Sequence, residues 1–160
     1  LKPKSTFEIV AMKVSKDGKF NWTTKGETGQ LTYIVEQFRW NKWIKVGEIN
    51  GNGNSTENNY NFKVTPHSGE NKFRVKQVDY SGNPRYSSAS RYLSIIGEIT
   101  FSPKKAKTNV LFTIPTLFEV YDSYGNIVKK GFGEKVNISN LKKGIYYLNY
   151  DNKTDTFVKK

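Results

Sequence analysis

His67 is the only histidine in the chain, and there is no cysteine. A nucleophilic triad needs a base held by an acid beside an activated hydroxyl or thiol. His67 stands in Thr65-Pro-His-Ser-Gly69, which is turn composition, and no nucleophile motif surrounds it. One histidine without thiolates also falls short of the usual zinc ligand sets. Gly51-Asn-Gly-Asn-Ser-Thr-Glu57 and Asp151-Asn-Lys-Thr-Asp155 offer oxygen ligands. Neither has the several acids around a fixed Gly that a calcium loop requires, so both read as turns. Asn-x-Ser/Thr sequons begin at Asn21, Asn54, Asn137 and Asn152, and chance explains them in an Asn-rich chain. No catalytic, cofactor or metal set emerges, and the chain is expected not to be an enzyme.

Binding chemistry is better represented. Trp40 and Trp43 bracket Asn41-Lys42, which reads as a hairpin turn. Trp40 shares its alternation parity with Phe38, Glu36 and Ile34, the face opposite Tyr33 and Val35. An indole there beside Arg39 could stack on a sugar, so Arg39 and Trp40 are the candidate ligand-binding pair. Packing against a neighbouring domain accounts for Trp40 more simply. The net charge is +12, with 26 Lys+Arg against 14 Asp+Glu. Through Gly97 the count is 15 against 8, and from Glu98 it is 11 against 6, so the excess is spread over both halves. A solvated basic surface accounts for it. Attraction to an anionic surface such as lipopolysaccharide or polysaccharide is the functional counterpart. Nucleic acid is not expected, since the lysines alternate singly along strands and no recognition-module signature occurs.

The elements that must position these residues are strands. Phe7–Val14, Lys19–Thr23, Leu31–Phe38, Trp43–Val46, Tyr60–Val64, Lys72–Val78 and Tyr86–Ile96 alternate or run apolar. Gly, Asn and Pro punctuate them at roughly 8–12-residue spacing, the pattern of a β-sandwich. Beyond Ile96-Gly97-Glu98 come Ile99–Pro103, Asn109–Ile114 and Leu117–Tyr121, then the strands of the last forty residues. No stretch keeps helical periodicity with caps, so essentially no helix is expected. The fold class is all-β: two consecutive antiparallel β-sandwich domains, residues 1–97 and 98–160. The start Leu1-Lys-Pro-Lys-Ser-Thr6 reads as a cut linker, and the chain as the C-terminal region of a longer protein whose targeting segment lies upstream.

Three elements in the last forty residues stand out. Val120-Tyr-Asp-Ser-Tyr-Gly-Asn-Ile127 puts Gly125 and Asn126 between apolar runs, a tight hairpin signal. Leu141-Lys-Lys-Gly-Ile-Tyr146 places a turn before a strand, with Ile145, Tyr147 and Asn149 opposite Tyr146, Leu148 and Tyr150. Phe157-Val-Lys-Lys160 closes an apolar strand with lysines. These elements, in this order, resemble the C-terminal sorting domain of the type IX secretion system. The family opens with Pro-Asn-Pro. Here Ser102-Pro103-Lys104-Lys105-Ala106 keeps only the first proline. Such a domain of about 63 residues has no disulfide, and Phe112, Phe118, Tyr121, Tyr146, Tyr150 and Phe157 would have to fill its core.

That resemblance implies a secreted or cell-surface protein that passes through the periplasm. It implies recognition by the outer-membrane translocon and its shuttle, then removal by a sortase-like peptidase, with release or attachment to anionic lipopolysaccharide. The residues it marks are Pro103, Asp122, Gly125, Leu141, Gly144, Tyr146, Lys159 and Lys160. Gly125 and Gly144 would set backbone shape, Leu141 and Tyr146 would anchor by packing, and the terminal lysines would be exposed charge.

The first half resembles fibronectin type III domains, carried by Phe20-Asn-Trp22-Thr, Tyr33-Ile-Val-Glu36, Trp43-Ile-Lys-Val-Gly47 and Phe73-Arg-Val-Lys-Gln-Val-Asp79. Trp43 falls on a family core position. The family's strand-six aromatic is usually Tyr, and Phe73 cannot make its corner hydrogen bond. The half would serve as a spacer, with a polysaccharide-binding or adhesin surface as the alternative.

Overall fold

The computed structural model describes residues 7–160. The stretch read as a linker, Leu1–Thr6, lies outside them. Among the described residues every regular element is a strand. Two units emerge. The first runs through Pro66 and resumes at Glu70–Ser94, and the second joins His67–Gly69 to Ile95–Lys160.

Unit 1 holds β1 (Glu8–Val14), β2 (Lys19–Lys25), β3 (Thr32–Arg39), β4 (Lys42–Asn50), β5 (Asn58–Lys63), β6 (Glu70–Val78), β7 (Pro84–Tyr86) and β8 (Ser90–Leu93). One sheet has the order β1-β2-β5 and the other β4-β3-β6-β7, with β8 also pairing β6. Alternation decides what faces inward. Phe20, Trp22, Tyr33, Val35, Phe73 and Val75 are each at most 1% exposed and share one core. Phe73 has no hydroxyl to fix a corner, and its ring packs 5.8 Å from that of Phe20 instead.

One end of this core is closed by a carboxylate. Glu27 is 2% exposed and accepts from Tyr33 OH at 2.9 Å, Tyr60 OH at 2.7 Å, Gly53 N at 2.8 Å and Thr24 Oγ1 at 2.5 Å. A buried charge is tolerable when its lone pairs are filled this way. Burial, followed by Glu27, drives the Tyr33 hydroxyl strongly upward and Tyr60 up to about 12.

The hairpin between β3 and β4 differs from the expected turn. The two loop residues are Trp40 (φ 53°) and Asn41 (φ 60°), not Asn41-Lys42. Two successive positive φ values are those of a type I′ turn, whose twist matches the strands. Trp40 therefore sits at the turn, not on a strand face. Trp43 is also displaced from its expected core position. Gln37 and Arg39 point inward from β3, so Phe38 and its cross-strand partner Trp43 face outward, rings 5.3 Å apart. Arg74 lies 4.1 Å from the centroid of Trp43 and 4.2 Å from that of Tyr86, held by Glu36 Oε1 at 2.8 Å from its Nε.

Unit 2 holds β9 (Phe101–Ser102), β10 (Lys105–Ala106), β11 (Asn109–Tyr121), β12 (Ile127–Asn137), β13 (Gly144–Tyr150) and β14 (Lys153–Lys159). The order is β10-β14-β13-β11-β12, with β9 also on β11. All pairs are antiparallel except β10–β14. The segments read as two strands, Asn109–Ile114 and Leu117–Tyr121, form one. Pro115 offers no N–H, and the pairing with β12 shifts register between Leu111 and Thr116, leaving Pro115 out of the ladder. Ahead of the shift β11 pairs β9, and after it β13. The core stacks Phe112 on Phe118 at 5.8 Å and on Tyr150 at 5.7 Å, with Phe101 edge-on to Tyr150. Tyr121, expected inside, is only half-buried and faces out from β11.

Asp151 turns β13 into β14 with φ 49° and is fully buried. Its carboxylate accepts from Ser68 N at 2.7 Å, Ser68 Oγ at 2.5 Å and Ile99 N at 3.3 Å, while its own N–H donates to Thr116 Oγ1. The β11–β12 turn is shaped by Gly125, whose φ is +84° with open space around a would-be Cβ.

Two stability experiments test these hubs. Glu27→Ala leaves three buried hydroxyls and the part-buried Gly53 N–H without their acceptor, so a loss of at least about 3 kcal/mol is expected. Denaturant unfolding read by tryptophan emission measures it, since all three tryptophans lie in unit 1; an unchanged midpoint refutes the role. Gly125→Val forces a β-branched residue to positive φ, with an expected loss of roughly 1–3 kcal/mol. Tyrosine near-ultraviolet dichroism during unfolding reads this change, and the tryptophan transition should not move.

A pH experiment tests the tyrosines. A raised pKa means that the folded state holds the proton more tightly than the unfolded chain, where tyrosine titrates near ~10. The Tyr60 contribution is thus complete below about pH 10 and is lost as pH rises toward about 12. Stability of the tryptophan-reported transition should fall over that window, and less so in Tyr60→Phe.

Candidate recognition site

The register of β11 decides which loops meet. Tyr121 pairs with Ile127 of β12 on one side and with Tyr147 of β13 on the other. Because both pairings are antiparallel, the turn after β11 and the loop before β13 emerge at the same end of the sheet. Asp122–Tyr124 with Val128, and Asn140–Tyr146, line one groove of about 420 Å³ there.

Each wall is held from within. Asp122 Oδ1 accepts the N–H groups of Tyr124 (2.9 Å) and Asn126 (3.0 Å), and Oδ2 takes Asn126 Nδ2 at 3.4 Å. The Gly125 N–H donates to the Asp122 carbonyl at 3.1 Å. The Asn126 backbone N–H, with that of Tyr124, holds the Asp122 carboxyl below its usual range. The carboxylate thus stays ionised and is held in place by the turn. On the opposite wall Leu141 N donates to the Ile138 carbonyl and the half-buried side chain packs on the core. Tyr146 stacks on Phe157 at 5.6 Å, and its hydroxyl donates to the Lys142 carbonyl at 2.7 Å, tying the loop to the strand. Gly144 has φ +151° and nothing within 4 Å of a would-be Cβ, so it shapes the backbone but does not fit against a neighbour.

Five of the residues named from sequence, Asp122, Gly125, Leu141, Gly144 and Tyr146, thus belong to one end of unit 2. The others do not join them. Pro103 follows a cis peptide bond and is exposed between β9 and β10, away from the groove lining. Lys159 is a correction: it was expected as exposed charge but is 7% exposed. It alternates in phase with Phe157, so its stem is drawn inside and its Nζ donates to the Lys160 carbonyl at 2.9 Å. Lys160 is exposed. Arg39 is a second correction. At 2% exposure its guanidinium lies inside unit 1, donating to Gln37 Oε1 at 2.9 Å and to the Thr65 carbonyl at 2.9 Å. The alternation that faces Tyr33 and Val35 inward carries Arg39 inward too. Its Cζ lies 5.7 Å from the Trp40 centroid, so it supports that ring from behind and offers no face to a sugar.

The sequence signal that would have extended the site is adjacency. Tyr124 and Ile145 sit inside the two motifs and are 88% and 59% exposed. In the sequence Lys142 and Lys143 are only the spacing residues of the second motif, yet both line the groove. Among the described residues no cluster of three or more His, Asp or Glu could hold a metal ion, and no helix is long and apolar enough to cross a membrane.

Residues 102–160 match the family model described as the secretion system C-terminal sorting domain. No curated protein sequence matches the chain. Among solved structures the chain is similar to the fibronectin(III)-like modules of CbhA from Clostridium thermocellum, at 11% identity and a TM-score of 0.31, covering 96% of this chain and 94% of that one. It is similar to the FN1–FN3 domains of chicken CNTN1 at 12% identity and 0.35, covering 99% and 66%. It is also similar to the BSP domain of a biofilm-associated protein at 14% identity and 0.35, covering 96% of this chain but 29% of that one. Sorting signals and fibronectin-like modules are non-catalytic kinds of module. The segment 102–160 is thus similar to the secretion system C-terminal sorting domain, the kind of tail that marks proteins for the cell surface or for secretion.

Proposed function

We propose that the chain is the C-terminal region of a bacterial cargo protein, in which residues 98–160 are a folded export signal and residues 1–97 a spacer. The outer-membrane translocon and its shuttle read the signal after the cargo has folded in the periplasm. A sortase-like peptidase then removes it, and the cargo is released or joined to anionic lipopolysaccharide. The observation that carries the reading is the shared groove of the Asp122–Gly125 turn and the Leu141–Tyr146 loop. A signal read in folded form has to present fixed surface shape. Both walls supply this, because the Asp122 carboxylate and the Tyr146 hydroxyl are satisfied internally and the Tyr146 ring is packed.

The spacer role of the first half rests on what its outer face does with its aromatic rings. Arg74 covers Trp43 and Tyr86, and Glu36 neutralises it. Those ring faces are engaged internally, which favours presentation over sugar stacking.

Export of a periplasmic reporter tests the proposal. Fused ahead of the whole chain, the reporter should appear outside a host that has the type IX system, and should stay in the periplasm when residues 102–160 are deleted. Equal export of both fusions overturns it.

A further inference from the structure

The groove has a chemistry of its own. Lys142 and Lys143 are exposed on its rim, and neither enters an ion pair among the described residues. The one acid in the lining is Asp122, whose oxygens are taken by Tyr124 and Asn126. Two ammonium groups against one carboxylate still leave the rim net positive. Between the lysines and the turn lie apolar groups: Val128, the Leu141 side chain, and the exposed Tyr124 and Ile145. The apolar surface continues past the rim. Tyr147, Tyr121 and Ile127 stand in one cross-strand row on the outward face of the sheet, and Tyr147 and Ile127 are 46% and 47% exposed. Contiguous exposed apolar surface beside a charged rim marks a protein contact.

We propose that this groove takes an acidic peptide segment of the export machinery, one that presents an aliphatic or aromatic side chain between carboxylates. The claim rests on the sorting reading above and names the chemistry of its partner. The carboxylates meet Lys142 and Lys143, and the apolar side chain enters between Val128 and Ile145. The two lysines outweigh the single carboxylate of Asp122, whose oxygens the turn keeps directed at its own N–H groups. A purely anionic polymer would need the lysines but not the apolar floor, so the two sources separate by mutation.

The test uses the whole chain behind the same reporter. Lys142→Glu with Lys143→Glu should reduce exported reporter roughly tenfold or more, since like charge replaces attraction at the rim. Lys142→Arg with Lys143→Arg should retain export. Ile145→Ser should also reduce export strongly. Lys16→Glu with Lys25→Glu, the same charge change on exposed positions of unit 1, should export as the parent does. Thermal melts of the purified chains should coincide, because Tyr146 holds the loop through a backbone carbonyl that these changes keep. Loss in the lysine reversal but not in Ile145→Ser points to lipopolysaccharide or another polyanion and overturns the peptide partner. Full export by both variants, with the parent chain exported, overturns the groove and leaves the sorting reading intact. Retention of the parent itself overturns both.

Discussion

The pairing of Tyr121 with Ile127 on one side and Tyr147 on the other is the constraint from which unit 2 follows. A slip of one residue in either ladder would reverse every side chain of the slipped strand, exposing Leu148 or Val120 and burying Ile145. The hydrophobic difference between those registers fixes the correct one. With the register fixed, the turn after β11 and the loop before β13 have nowhere to emerge but side by side. The groove is thus a by-product of strand pairing. The turns need only keep their own shape, which Gly125, Asp122 and the Tyr146 hydroxyl ensure locally.

Both units hold a buried carboxylate at a point where loops converge, Glu27 in one and Asp151 in the other. Each accepts from both backbone and hydroxyl donors. The arrangement suits small sandwiches without disulfides. Loops carry N–H groups that the sheet cannot satisfy, and a single carboxylate can collect three or four of them. Apolar packing decides which sheets form. These acids decide how the loops between the sheets lie.

Much of this was legible in the sequence, and the failures have a common cause. Period-two alternation located the strands, and Gly125 with Asn126 located the turn, because both signals are local. The strand-six departure at Phe73 was legible for the same reason. Trp40 was misread because the turn begins one residue earlier than the sequence suggests, and Trp43, Arg39 and Lys159 because parity says that two residues share a face but not which face is buried. Arg39 and Lys159 lie on the inner face, where a polar head reaches backbone oxygens near a strand end. Trp43 lies on the outer face, where Arg74 covers it. Asn109–Ile114 and Leu117–Tyr121 read as two strands, and Pro115 between them does interrupt the ladder, but the strand runs on and changes partners at that point. Asp151 read as a turn residue, which it is, while its donors Ser68 and Ile99 lie 83 and 52 residues away, beyond any local pattern.

The partner change at Pro115 has a kinetic face. Ahead of it β11 is tied to β9 through Leu111 and Phe112, and beyond it to β13 through Phe118–Tyr121. Thr113 N donates to the Thr100 carbonyl and Thr116 pairs with Gly133 of β12, so only Ile114 and Pro115 have no ladder partner between the two sets. Local opening is set by the contacts that a segment must break. In an amide-exchange experiment this single strand would therefore appear as two protected islands separated by a fast-exchanging gap. The island nearer the groove would report on the recognition end alone.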